Sequence, residues 1–154
     1  MNLDDAYRMG RRLMDQHGLT EWTLEFDRAK RRAGATHFAH TKITLSRALT
    51  EACPETTVRD TILHEIAHAI VGPRHGHDDV WRRTCVKIGG TGAARLEGAP
   101  QIPGAWVGKC PAGHEIQRHR RPTRPMSCAT CQPKRFSAEH QFVWRRRLGA
   151  ADQA

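Results

Sequence analysis

Aromatic residues and long apolar runs are scarce in this chain of 154 residues. Aromatic side chains make up 6% of the sequence, and there is a single tyrosine. No apolar run approaches the roughly 20 residues of a membrane-spanning helix. The acidic, amphipathic start of the chain, Met1 to Asp5, is unlike a secretory signal. These absences exclude a membrane protein and predict a cytoplasmic protein with a modest core.

Cysteine is also infrequent, and the five cysteines are an odd number. Cys110, Cys128 and Cys131 lie near one another in the sequence, whereas Cys53 and Cys85 stand alone. In a reducing compartment this spacing favours metal ligation over a disulfide framework. We expect Cys85 to be a small buried apolar side chain. A Cys53–Cys85 disulfide is an alternative that nothing in the sequence favours.

Acidic residues are the third scarcity. The chain has 16 Asp and Glu against 25 Lys and Arg, so its formal net charge is +9. From Gln101 onward, ten basic residues accompany three acidic ones, which gives +7 and leaves +2 for the first hundred residues. The C-terminal third is therefore predicted to be a cationic module that follows a nearly balanced domain.

The most informative stretch runs from Thr57 to Gly72 and contains His-Glu-x-x-His. Residues four apart lie on the same face of an α-helix, so His64 and His68 can bind one metal ion. Glu65 lies about 100° further round the helix, where it can reach a water on the metal without being a ligand. Zinc suits two imidazoles and lowers the pKa of such a water to about 7. A carboxylate can then take the proton as the water attacks a carbonyl.

The residues around this motif favour a helix that is buried on one side. Thr57 and Asp60 fit a capping box at its start. Gly72-Pro73 is a strong stop signal. The alternative is a core helix with two chance histidines, but the helical context fits the metal motif better. Opposite the histidines lies a broad apolar arc, formed by Ile62, Leu63, Ile66, Ala67 and Ile70.

A zinc site of this kind needs a third protein ligand and one open position. The candidates are His75 and His77, and His77 precedes a predicted helix that Asp78 or Asp79 caps. Trp81 follows His77 by four residues. The run from His64 to Trp81 resembles the SprT-like (Spartan-type) zinc metalloprotease domain family. The resemblance implies His77 as the third ligand and leaves His75 as a loop histidine.

The resemblance also implies a fold and an activity. Members of this family are zincin-like proteins regarded as zinc metalloproteases, and the best-understood branch cleaves proteins that are bound or crosslinked to DNA. A strand precedes the metal helix in the family and borders the cleft. On this basis Lys42 to Ser46 would offer an edge to an extended peptide by strand addition. SprT-like proteins often carry a C-terminal zinc ribbon as well.

A second metal site is predicted in the C-terminal third. Cys128-Ala129-Thr130-Cys131 is one half of a zinc ribbon on a tight turn. The other half is irregular, because a standard knuckle that begins at Cys110 would put cysteine at position 113. His114 can serve if the loop is one residue wider, and His119 is the substitute. A thioredoxin-like redox pair is the rival interpretation, but no βαβ pattern surrounds the Cys-x-x-Cys.

Basic residues between and after the ribbon halves predict contact with DNA, mainly through phosphates. Charge that only solubilises the surface is the alternative. Trp144 or Phe142 could stack on unpaired bases, although we expect both in the ribbon core. The predicted DNA contacts are Arg118, Arg120, Arg121, Arg124, Arg145, Arg146 and Arg147.

The remaining pattern predicts the rest of the fold. A helix from about Leu3 to His17, capped by Asn2, precedes a half-buried strand over 22–26 and short strands over 36–40 and 42–46. We predict an α+β, zincin-like core of helices packed on a small antiparallel sheet, with a small C-terminal zinc ribbon. The predicted divisions are residues 1–97 for the catalytic domain, 98–108 for a Gly-, Pro- and Ala-rich linker, 109–148 for the basic ribbon module and 149–154 for the tail.

Two functions are compatible with this organisation. The first is a zinc-dependent endopeptidase that acts on proteins at or near DNA, with one catalytic and one structural zinc ion and with Glu65 as the general base. The second is a non-proteolytic, nucleic-acid-binding adaptor that keeps zinc for structure. Glu65 favours the first, because a structural site needs no general base. We expect a monomer whose partners are a protein or peptide substrate and DNA, with no membrane contact.

Overall fold

The computed structural model describes residues 1–95, 98 and 100–147. The chain forms two compact units that divide between Ile102 and Pro103. The predicted linker, 98–108, overlaps the second unit, because a strand begins at Trp106 within it. Residues 98–108 are rich in glycine, proline and alanine, so the sequence pattern does not predict a strand there. The predicted tail, 149–154, lies outside the described residues.

The first unit combines four helices with a three-stranded sheet, so the predicted α+β class is confirmed. No helix of the described ranges is both long and apolar enough to cross a membrane. The helices are α1 (Leu3–Gln16), α2 (Arg47–Ala52), α3 (Glu55–Val71) and α4 (Asp79–Lys87), and the strands are β1 (Thr23–Asp27), β2 (Gly34–His37) and β3 (Lys42–Ser46).

β3 is the central strand of this sheet, with β1 and β2 on its two sides. It runs parallel to β1 and antiparallel to β2, so the sheet is mixed rather than wholly antiparallel. The expectation that Lys42 to Ser46 offers a peptide-binding edge was wrong, because both sides of β3 are paired. Among the strands described, β2 is the edge next to α3, and β1 forms the opposite edge.

Strand β2 is shorter than its sequence suggests. It ends at His37, and a 3₁₀ turn follows at Phe38–His40. Thr41 then adopts a left-handed backbone with φ of 43°, which reverses the chain into β3. The predicted strand over 36–40 therefore contains only the end of β2.

The core of the first unit lies between one face of the sheet and helices α1 and α3. Leu24, Ile43 and Leu45 from the sheet are buried with Met14 of α1 and Ile62 of α3. Burial of each such side chain stabilises the fold by about 1.5–3 kcal/mol relative to its exposed state. This packing fixes the position of α3 beneath β2, which is what places the functional side chains.

The helix ends match the sequence at α1 and differ at α3. Asn2 caps α1 by accepting a hydrogen bond from the Asp4 amide at 2.7 Å, as predicted. Helix α3 begins at Glu55 after Pro54, so the predicted capping box of Thr57 and Asp60 was wrong. The Asp60 carboxylate accepts hydrogen bonds from the amide and hydroxyl of Thr91, at 2.7 and 2.9 Å, and so holds the loop after α4.

The apolar arc of α3 also stops earlier than predicted. Ile62, Leu63, Ile66 and Ala67 are fully buried, but Ile70 is 44% exposed. It lies in the last turn of α3. Ile70 is therefore a surface residue.

The second unit contains an antiparallel sheet with the order β5-β4-β6. Its small core includes Cys110, Cys128 and Phe142, with Trp144 packed against them. Gly108 permits this packing, because a Cβ at that position would lie 2.9 Å from the ring of Trp144. The strands are β4 (Trp106–Lys109), β5 (Glu115–Arg118) and β6 (Val143–Arg146).

Candidate metal centres

Three histidine side chains converge in the first unit. His64 and His68 lie one turn apart on α3, and His77 comes from the loop before α4. The Nε2 atom of His77 lies 3.0 Å from that of His64 and 3.2 Å from that of His68. Zinc–nitrogen bonds of 2.0–2.1 Å in a tetrahedral site would separate ligand nitrogens by about 3.3–3.4 Å. The three imidazoles therefore fit three corners of a tetrahedral site.

The two helical histidines have backbone partners and lowered pKa values. The backbone of Ala93 hydrogen-bonds to the ring of His64, and the backbone of His75 to the ring of His68. These contacts fix the rings and direct the Nε2 atoms toward the centre of the cluster. Burial, with the neighbouring histidines, lowers the pKa of His64 to about 4, and it also lowers the pKa of His68. Both rings can therefore offer a lone pair at neutral pH.

Trp81 forms the base of this cluster. Its ring is fully buried, lies 4.6 Å from the rings of His64 and His77, and stacks on His68 at 5.2 Å, measured between centroids. Its indole N–H donates to the carbonyl of His64 at 3.4 Å. Trp81 therefore supports the three histidine rings from below.

Asp78 fixes the start of α4, and with it His77. Its carboxylate caps the helix by accepting from the Trp81 amide at 3.0 Å, so Asp78 rather than Asp79 is the cap. The same carboxylate contacts Nδ1 of His75 at 2.8 Å. The Trp81 amide, followed by His75, lowers the pKa of Asp78. His75 thus contacts Asp78 and does not join the other three imidazoles.

Glu65 follows His64 on α3, and both residues line one cleft of the first unit. Its side chain is only 6% exposed, and the hydroxyl of Thr36 lies 2.8 Å from Oε2. Burial raises the pKa of Glu65 to about 7, against the opposing effects of the Thr36 hydrogen bond and of Arg32. A carboxylate with this pKa can accept and return a proton near neutral pH, as a general base requires.

Thr36 can serve both protonation states of Glu65. Its Oγ1 also lies 3.0 Å from the backbone carbonyl of Glu65. When the carboxylate is charged, the hydroxyl donates to Oε2. When the carboxyl is protonated, Oε2 can donate to the hydroxyl, which then donates to the carbonyl.

Gly34 leaves the space that the Glu65 side chain occupies. A Cβ at this position would lie 2.8 Å from both Cγ and Oε1 of Glu65. No flexible chain end is available to move aside, because the clash includes the stem of the side chain. The first and third residues of β2 thus fix the carboxylate of α3 from the sheet side.

Four side chains of the second unit form another cluster. Nδ1 of His114 lies 3.6, 3.6 and 3.3 Å from the sulfurs of Cys110, Cys128 and Cys131, and the sulfurs of Cys110 and Cys131 are 3.9 Å apart. Tetrahedral zinc, with bonds of 2.3 Å to sulfur and 2.0–2.1 Å to nitrogen, would give about 3.5–3.6 Å and 3.8 Å. The wider knuckle therefore brings in His114, and His119 is not part of the cluster.

The thiols of this cluster have unequal acidities. Burial would raise the pKa of Cys128, but backbone N–H groups of Cys131 and Thr130 outweigh it and lower the pKa to about 6. Burial and the neighbouring thiols raise the pKa of Cys131 to about 11. Three thiols this close cannot all ionise without a cation, so the donor set fits a structural metal rather than a redox pair. Cys53 and Cys85 are both buried and free, so they do not form the alternative disulfide.

The predicted DNA-contact arginines are distributed over three segments. Arg118 ends β5, and Arg120, Arg121 and Arg124 lie in the loop that follows. Arg145 and Arg146 are strand residues of β6, and Arg147 follows them. In the sheet register Arg118 and Arg146 lie opposite Trp106, and the guanidinium of Arg121 lies 5.3 Å over that ring.

The seven predicted ligands thus gather into two clusters within the described residues, and Glu65 lies beside the first. Their binding of metal stays a prediction. Sequence reasoning missed Thr36, Gly34 and the Ala93 backbone. Thr36 is 29 positions from Glu65, and no local pattern links the two residues.

Comparison with known proteins addresses the first unit. A model of the SprT-like family matches residues 2–101. The match includes the three convergent histidines, Glu65 and both residues of β2 that contact it. Searches of curated proteins and of solved structures found no match. Because the family model covers more than half of the 154 residues, the chain belongs to the SprT-like family.

Proposed function

We propose that this protein is a zinc-dependent endopeptidase of the SprT-like type. The observation that carries the proposal is the buried carboxylate of Glu65, which lies beside three convergent imidazoles. A purely structural site needs only ligands. Burial of an acid with a pKa of about 7 lowers the stability of the folded protein at neutral pH, and a structural site gives no reason for it. Family membership supports the same activity.

The chemistry divides between the ion and the chain. Zinc, when held by His64, His68 and His77, supplies a Lewis acid that polarises a carbonyl and makes water more acidic. Glu65 accepts the proton of the attacking water and returns it to the leaving amine. Thr36 keeps the carboxylate in place through both steps, because its hydroxyl can donate to it or accept from it.

An extended peptide substrate would pair with the free edge of β2. β3 is paired on both sides, whereas β2 has one side without a strand partner in the described part of the chain. β2 also contacts α3 and holds Glu65 through Thr36. An extended substrate that adds to this edge would run past the reactive groups.

DNA association through the second unit is a further part of the proposal. It is supported by the concentration of positive charge after Gln101 and by the cluster of Arg118, Arg121 and Arg146 around Trp106. Arginines suit phosphate, and a half-buried tryptophan suits an unpaired base. Phe142 is only 5% exposed, so it is less suited to stacking. A reducing, cytoplasmic location remains part of the proposal, since the three cysteines of the ribbon cluster bind metal only as reduced thiols.

Cleavage is best tested with a peptide library read by mass spectrometry. The zinc-loaded protein should cut library peptides, with and without added single-stranded DNA, and Glu65→Gln should not. Metal content is measured on the same samples. If the parent cuts nothing while two zinc ions are bound, the peptidase proposal fails and the adaptor function takes its place.

DNA binding is tested by titration at several salt concentrations on duplex and single-stranded oligonucleotides. We expect log affinity to fall with log salt by about 0.9 per phosphate contact on duplex DNA, with roughly 3–6 contacts. A triple alanine variant at 120, 121 and 124 should flatten this slope. Lys134→Ala with Arg135→Ala, which removes two positive charges outside the predicted contacts, serves as the control. If neither variant changes the binding, these arginines only solubilise the surface.

A further inference from the structure

Three arginines are among the residues that line the cleft beside His64 and Glu65. It has a volume of about 420 Å³. Its walls come from the loop between β1 and β2, from α3, and from the segment that follows α4. Arg31 and Arg32 contribute from the first of these segments and Arg95 from the last.

Two carboxylates also line this cleft, and both accept hydrogen bonds from neutral groups, so the three arginines outnumber them. Asp60 accepts two hydrogen bonds from Thr91, and Glu65 is held by Thr36. Arg32 pairs with Asp27 at 2.6 Å. Within the described residues, no hydrogen bond or ion pair is formed by Arg31 or Arg95. Among the described residues of the cleft lining, Arg31 and Arg95 are thus two exposed arginines without an ion pair.

The position of Arg31 relates this charge to the path of a substrate. Arg31 precedes the cleft-lining residues Arg32 and Ala33, and the chain continues directly into Gly34 at the start of β2. A peptide added to the edge of β2 would therefore pass the guanidinium within a few residues of the bond beside Glu65. Arginine binds a carboxylate through two parallel N–H donors, which gives orientation as well as charge.

We propose that this cleft selects peptides with an acidic side chain within about three residues of the scissile bond, bound by Arg31 and Arg95. The inference rests on the proposed peptidase function and names its substrate class. A DNA phosphate is the other anion with suitable chemistry. The peptide carboxylate is favoured because the basic groups share one cavity with the reactive carboxylate.

The first experiment compares cleavage of matched peptides. Acidic residues should be enriched around the cleavage sites in the peptide library, and a selected peptide with Glu should be cut about fivefold faster than its Gln counterpart, as kcat/KM. Arg31→Gln combined with Arg95→Gln should bring that ratio near one. Arg31→Glu should shift the preference toward lysine. Arg28→Gln, in the same loop but outside the cleft lining, is the control and should keep the ratio.

The second experiment separates this inference from the peptidase proposal. Zinc-loaded Glu65→Gln protein is titrated with fluorescein-labelled Glu and Gln peptides, and the Glu peptide should bind about fivefold tighter. Acid-selective binding without cleavage by the parent would support the cleft inference and overturn the peptidase. Cleavage or binding that does not distinguish Glu from Gln would overturn the inference alone. Displacement of the Glu peptide by a short oligonucleotide, dependent on Arg31, would assign the cleft to phosphate and overturn it as well.

Discussion

Replacement of Glu65 by glutamine separates the roles that the structure gives this residue. The amide has nearly the same shape and can still accept a hydrogen bond from Thr36, but it cannot take a proton. Because Glu65 is not among the converging ligands, zinc should stay bound. Cleavage should fall by about 10²–10⁴-fold, the usual contribution of a general base.

The same substitution has a calculable effect on the metal-free protein. Burial raises the pKa of Glu65 from 4.5 to about 7, so the folded state holds its proton more tightly than the unfolded state does. The folded protein therefore loses stability as the pH rises through 4.5 to 7, and the full cost is present above about 7. One pKa unit is worth about 1.4 kcal/mol, so this cost is about 3 kcal/mol. The side chain is 6% exposed, which leaves little solvent screening.

Urea denaturation of chelator-treated protein at pH 4.5 and pH 8.5 measures this cost. The free-energy difference between Glu65→Gln and the parent should shift by about 3 kcal/mol in favour of the variant at the higher pH. His64 and His68, whose depressed pKa values act in the opposite direction, are present in both proteins, so they largely cancel in the difference. An equal difference at both pH values would refute the buried environment of Glu65. If folded Glu65→Gln protein lost the zinc ion that the three histidines hold, the assignment of Glu65 as a base and not a ligand would be refuted.

The remaining predictions concern the supports of the two clusters. Thr36→Val should lower kcat by about tenfold and move the acidic limb of the pH–rate profile to higher pH, because the hydroxyl lowers the pKa of Glu65. Thr36→Ser should restore both kcat and the position of the limb. A Thr36→Val protein in which only KM changes would contradict this role. Gly34→Ala should displace the carboxylate, so the cleavage rate should fall strongly while the urea midpoint changes little. Both quantities are measured on one preparation. Elemental analysis should find two zinc ions in the parent and one after replacement of Cys128 and Cys131, with the histidine site still occupied; one ion in the parent would remove one of the sites from the proposal.

The sequence by itself determined the features that depend on local spacing. The four-residue separation of His64 and His68 puts both on one face of any α-helix, whatever packs around it. The same holds for Cys128 and Cys131, since a Cys-x-x-Cys turn brings its own sulfurs together. The cap of α1 and the distribution of charge along the chain also needed no tertiary information.

The start of α3 and the order of the first sheet depended on interactions that local spacing does not encode. Thr57 and Asp60 have capping chemistry, but Asp60 is drawn to Thr91 on a distant loop. The sequence predicts a short strand over 42–46, and the central place of β3 follows from pairing with strands on both sides. Pairing partners are chosen by packing over the whole core, so an alternating pattern cannot reveal whether a strand lies at an edge.

Only the tertiary structure decided how Glu65 is held and what faces it. Thr36, Gly34 and the Ala93 backbone reach the site from segments that are remote in sequence, and each is brought there because the core fixes β2 and the loop after α4 against α3. The pKa of Glu65 follows from the same packing, since burial is a property of the assembled fold and not of the residue. Sequence spacing therefore supplied the candidate ligands, and long-range packing supplied the buried environment that raises the pKa of the carboxylate.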